Sequence, residues 1–252
     1  MGPSVIPDPA LDWDLGPPRR WDPRHLVVAI AGIVTVIAVA VIVLQTRRAE
    51  APPPTPVRVA APSVALAVPT GHEGDGGYPV GFPHTEIGAA SAAAAALEAA
   101  WTLDVGQAEQ AAALYAPPDQ RGAAREGARD AVRGWRETLG LPAEGDLPAG
   151  AALRTQTIGV QWKVRSDDQV QVSVLVQVTA TTGAGATGPV YSSPYAMSLL
   201  MAWKPDMRGA DKGDWVNIPD PTPPSVPAAA LPGTPEFAAA GWKSLIGPRP
   251  TP

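Results

Sequence analysis

His84, Thr85 and Glu86 stand together in "GFPHTEIGAASAAAAALEAAW", residues 81–101. An imidazole, a hydroxyl and a carboxylate in a row are the parts of an acid–base relay, but a relay also needs a second positioned group to orient the imidazole, and the neighbouring sequence supplies none. The same residues have a local structural use. Thr85 can accept a hydrogen bond from a free backbone N–H of a first helical turn, and Glu86 suits the positive end of the helix dipole. His84 then packs over the start of a helix, and the trio marks where a folded body begins.

Other chemistry-bearing residues also lack the partners that their chemistry needs. His72, Glu73, Asp75 and His84 are of metal-ligating types, yet "GHEGDGG" has no i, i+4 pair to place two ligands on one helical face. The ordered oxygen donors and closing Glu of a calcium loop are missing as well. "GAGATG" lacks the Lys-Ser/Thr of a phosphate loop and follows a strand without opening a helix. Ser192 and Ser193 have no Gly-x-Ser-x-Gly context. Cysteine is absent, which removes disulfides, thiolate metal sites and a cysteine nucleophile. Asp104, Asp130 and Glu137 fall at a helix cap or at watery helix positions, and Glu126 and Asp130 among Arg125, Arg129, Arg133 and Arg136 form a charged solvent face. No catalytic residue, metal or cofactor is expected, and the chain is predicted not to be an enzyme.

Tryptophan is the informative residue type, with eight Trp beside two Phe and four Tyr. Trp101, Trp135, Trp162 and Trp203 lie on predicted buried stripes. Trp215 and, in "TPEFAAAGWKSLIG", Phe237 and Trp242 come at or beyond the end of the body, where aromatic side chains are candidate partner contacts.

The elements that would position these residues occupy only part of the chain. Of 252 residues, 31 are Pro and 25 Gly, so the folded part is smaller than the length suggests. The formal charge is −5, with no dense basic block, and nucleic acid is not an expected partner. Residues 26–44 carry no charge, enough at about 1.5 Å per residue to cross a ~30 Å hydrocarbon layer. This predicts a retained transmembrane helix over 26–45, since a signal peptide has a shorter apolar core nearer the terminus. It follows a proline-broken tail, 1–25, expected to be disordered and cytoplasmic. Residues 46–78 are Pro- and then Gly-rich, a spacer; 79–220 form the extracytoplasmic domain; 221–252 are a Pro-rich tail. The expected address is the cell membrane, single-pass, with the N-terminus cytoplasmic and the C-terminal domain outside.

Within the body the period changes from near 3.6 to 2. Helices are predicted from Thr85, from Asp104 with Gln107 three residues on, and from about residue 119 to 139, where Ala128, Val132, Trp135 and Leu139 line one stripe before Gly140. Afterwards "TIGVQWKV" alternates, "QVQVSVLVQVTATT" puts Val170, Val172, Val174, Val176 and Val178 on one side, and "YAMSLLMAW" repeats the pattern. Gln171, Ser173, Leu175, Gln177 and Thr179 are expected to face water. The predicted class is α+β: one transmembrane helix plus about three N-terminal helices packed on a curved antiparallel sheet of three to four strands.

Three helices followed by such a sheet resemble the cone of the nuclear-transport-factor-like and ketosteroid-isomerase-like superfamily, over residues 79–220. With a short tail, one membrane span and an exported body, the layout is similar to the bitopic scaffold subunits of type IV secretion and conjugation machines. "GFPHTEIGAASAA" also resembles the helix start of exported actinobacterial membrane proteins. The resemblance implies a non-enzymatic, membrane-anchored scaffold or assembly protein. Its partners would be the lipid bilayer, other membrane or envelope proteins, and further copies of itself. The alternative is a stalked cone-fold enzyme or small-ligand binder, which needs a buried carboxylate facing a closed cavity. A third reading is an envelope sensor whose tail around Trp13 to Trp21 recruits a cytoplasmic protein.

Overall fold

A computed structural model describes residues 61–185, 191–222 and 224–247. Three short strands come first: β1 (Ser63–Val64), β2 (Gly71–Glu73) and β3 (Tyr78–Val80). Helices α1 (Glu86–Ala100), α2 (Val105–Leu114) and α3 (Arg121–Thr138) follow. Then come the strands β4 (Ala151–Ser166), β5 (Gln169–Thr182), β6 (Tyr191–Lys204) and β7 (Asp214–Ile218), a short helix α4 (Pro235–Ala239) and β8 (Lys243–Leu245).

The helix starts follow from their capping residues. Thr85 Oγ1 accepts from Gly88 N at 3.1 Å, and Asp104 Oδ1 accepts from Gln107 N at 2.8 Å, each closing one donor of an open first turn. Gly140 adopts φ +67° just past α3, a conformation that costs glycine nothing and stops the helix.

The sheet departs from the expected three or four strands. It has six, in the order β1-β8-β4-β5-β6-β7, and a fourth helix lies beyond it. The additions at one edge are β1 and β8, which pair in parallel (Ser63↔Ser244, Val64↔Leu245), while β8 runs antiparallel to β4 at Gly159 and Val160. Strands of two and three residues are too short to show alternation, and their proline-rich surroundings disguise them as spacer and tail. A separate hairpin pairs β2 with β3. Among the described residues no helix is long and apolar enough to cross a membrane. The span expected at 26–45 and the tail 1–25 lie outside those residues.

The body is layered around β5. Val170, Val172, Val174, Val176 and Val178 are all buried on the face toward the helices, against Ala89, Ala90, Ala92 and Ala93 of α1. Methyl-sized side chains let the helix backbone come close to the sheet, which is why α1 has no apolar stripe and needs none. Trp101, Trp135 and Tyr195 close the end of this layer with edge-to-face contacts, ring centroids 5.3 to 5.8 Å apart.

The opposite face of β5 is not the open watery face that its alternation suggests. Leu175 on that face is fully buried beneath Phe237 and Trp242 from the segment after the sheet, with Ile158 and Ala196 alongside. Gly159, beside a bulge in β4, makes room for this cover, since a Cβ there would lie 3.0 Å from the Phe237 ring.

One glycine in α1 is fixed by contact rather than by dihedral angle. A Cβ on Gly88 would fall 1.9 Å from the Pro83 carbonyl oxygen, which itself accepts from Thr85 N at 2.8 Å and from Trp215 Nε1 at 2.9 Å. Helix propensity alone would favour Ala by about 1 kcal/mol. The clash decides the sign, so Gly88→Ala is expected to destabilise the protein by about 1–3 kcal/mol, seen as a lower denaturation midpoint. An unchanged or higher midpoint would mean that Pro83 moves freely.

Candidate functional site

The three candidate partner contacts are all interior. Trp215 is 1 % exposed, and Phe237 and Trp242 are 0 % exposed. Trp215 anchors the start of α1 through its bond to the Pro83 carbonyl, and Trp242 Nε1 donates to Ala228 O at 2.8 Å. The four tryptophans expected to be buried, Trp101, Trp135, Trp162 and Trp203, are instead half-buried. Position near a chain end was a poor guide, because the segment after the sheet folds back over β5.

His84 performs a clamp's work. Its ring stacks on Trp203 with centroids 4.3 Å apart, and Nε2 lies 3.2 Å from Asp167 O and 3.0 Å from Asp168 Oδ1 in the β4–β5 turn. Among the described residues no side-chain hydroxyl hydrogen-bonds the ring. Thr85 is spent on the helix cap, and Glu86 accepts from Trp162 Nε1 at 2.7 Å. His72 and Glu73 belong to β2, with Asp75 in the following turn. No group of three or more metal-ligating side chains comes together among the described residues.

The residue that sequence reasoning missed is Asp214, a carboxylate buried at the start of β7. Its Oδ1 accepts from Phe82 N at 3.1 Å and Trp215 N at 2.9 Å, and its Oδ2 accepts from Gly81 N at 2.9 Å and Arg208 Nε at 2.8 Å. Four donors fill the acceptor positions of one carboxylate, leaving none with which to take a substrate's proton. Asp214 is therefore a staple between β7 and the chain entering α1. Nothing local in the sequence reveals it, because Gly81 and Phe82 lie far away along the chain.

Arg208 leads outward from this staple. Its side chain is only 7 % exposed, its Nη1 stands 3.5 Å from Glu73 Oε2, and its Nη2 is buried with no hydrogen-bond partner. It forms part of an open groove of about 320 Å³ lined also by Glu73, Gln110, Leu114, Arg121, Arg125 and Met207. Arg121 Nε is likewise buried and unpartnered. A second open hollow, about 360 Å³, shares Gln110 and is lined by Asp75 and Asp104. Neither lies between the sheet and the helices.

Comparison with known protein families, with curated proteins and with solved structures found no match.

Arg136, expected on the solvent face of α3, is buried, and its guanidinium donates to the carbonyls of Leu103 at 2.9 Å and Gly145 at 2.9 Å. It ties α3 to the loops on either side, an architectural task. Tyr115 is similar: its hydroxyl donates to Pro79 O at 2.7 Å, and burial pushes the phenol well above its ordinary 10.0. Burial also raises Tyr78 and Tyr191. A raised folded value means that this stabilisation is complete below pH 10.0 and is lost as pH climbs above it, because the unfolded chain then releases protons that the folded one keeps. Phenolate absorbance is expected to appear together with loss of helical circular dichroism in an alkaline titration. Full phenol ionisation with the dichroism intact would show these hydroxyls to be free.

Proposed function

We propose that this protein is a non-enzymatic scaffold or assembly element of the cell envelope, tethered by the apolar run at residues 26–44 and acting through the outer surface of the six-stranded body. The observation that carries this reading is the occupied interior. The space between sheet and helices is taken up by the β5 valines, the α1 alanines and the Trp101–Trp135–Tyr195 cluster. Asp214, fully buried beside Arg208, is saturated by hydrogen bonds. An interior built this way leaves recognition to the exterior.

Chemical cross-linking of the full chain in its native membranes tests the reading. A discrete species containing more than one chain is expected, either a homo-oligomer or a pairing with a second envelope protein. A lone, uncross-linked chain at every reagent concentration would oppose it, as would recovery of the intact chain in the soluble fraction.

A further inference from the structure

The groove beside the buried staple has more hydrogen-bond donors than the protein itself uses. Arg121 and Arg125 sit one turn apart on α3 and form no ion pair among the described residues, while Arg208 reaches the same groove from the β6–β7 connection. Arg208 is held by Asp214, so its guanidinium is fixed in place before any ligand arrives. Two buried N–H groups, Arg121 Nε and Arg208 Nη2, lack any partner, which is unusual for native proteins and suits a site completed by something else. With the Arg208–Asp214 pair neutral, Arg121 and Arg125 outweigh Glu73, and the groove carries surplus positive charge.

We propose that this groove binds the phosphate group of a phosphate monoester. Guanidinium forks match the spacing of phosphate oxygens and bind them with short, charge-assisted hydrogen bonds. The Gln110 amide lines the same space and adds neutral donors. A volume of about 320 Å³ exceeds what a bare ion fills and lies at the small end of organic-ligand sites. Ala113, Leu114 and Met207 give it an apolar wall for the ester's carbon skeleton. The adjoining hollow, with Asp75 and Asp104, would repel the phosphate and so confines it to the arginine side.

The inference stands apart from the scaffold reading, and its test uses the full chain in a phosphate-free buffer. Calorimetric titration with glycerol phosphate covers a soluble source. Vesicles of phosphatidylcholine with and without phosphatidic acid cover a lipid headgroup. The expected result is saturable binding to at least one source. Affinity should fall about tenfold or more in Arg121→Gln/Arg125→Gln, and Arg154→Gln on β4 should change nothing. If the double glutamine variant fails to fold, Arg121→Lys/Arg125→Lys keeps the charge while losing the forks and should still weaken binding. Binding only to the phosphatidic acid vesicles would identify the headgroup as the source. Heat no greater than that from chloride at matched ionic strength, or binding that is indifferent to both double variants, would overturn the proposal.

Discussion

Asp214→Ala is expected to cost about 3–5 kcal/mol, a large part of the ~5–15 kcal/mol that typically separates folded from unfolded chains. The loss has two physical sources. Arg208 keeps a buried guanidinium without its carboxylate, and the amides of Gly81, Phe82 and Trp215 lose their acceptor inside the protein. Arg208→Met/Asp214→Ala leaves no unpaired guanidinium in the interior, so it is expected to recover part of the stability lost in Asp214→Ala alone and to cost less than the sum of the single changes. The three orphaned amides prevent full recovery. Denaturant midpoints of the two single variants and the double variant give this coupling directly. Strict additivity would show that the pair does not act as one unit.

The second large effect concerns the segment after the sheet. Phe237→Ala and Trp242→Ala are each expected to cost about 3–5 kcal/mol, because each empties a fully buried position over Leu175. A docking peptide that touched the body only through a partner would behave differently, with both substitutions within about 0.5 kcal/mol of the parent chain. The same measurement thus separates an aromatic pair that completes the fold from one held out for binding. It also accounts for the β1–β8 edge, since β8 follows Trp242 directly and holds its place on β4 through the packing that Phe237 and Trp242 provide.

Long, regular elements were legible in the sequence and contacts between distant segments were not. The five alternating valines of β5 and the caps at Thr85 and Asp104 announce themselves because their signals are local: a period of two, or an acceptor three residues ahead of an amide. The six-strand count escaped because β1 and β8 are too short to have a period and are strands only through partners far along the chain, β1 on β8 and β8 on β4. Leu175 alternates with polar residues and so reads as water-facing, whereas Phe237 and Trp242 cover it, a contact that alternation alone does not reveal. Arg136 had the spacing of a solvent-facing charge, and the carbonyls that receive it lie in loops whose course no pattern fixes. The staple and the arginine groove are harder still. Arg121 and Arg125 are visible as an i, i+4 pair, but only the fold brings Arg208 beside them and Asp214 beneath Gly81 and Phe82.

The proposed function rests on a filled space between sheet and helices, packed by the β5 valines and the α1 alanines. NMR of the full chain under xenon, which enters dry apolar cavities, tests this most directly. Methyl signals of Val172, Val174, Val176 and Ala93 are expected to remain in place at saturating xenon. Trp101→Ala, which empties part of the aromatic end, should show shifts and so prove the method sensitive. Saturable shifts at those methyls in the unaltered chain would reveal a hollow able to receive a ligand and would contradict the account.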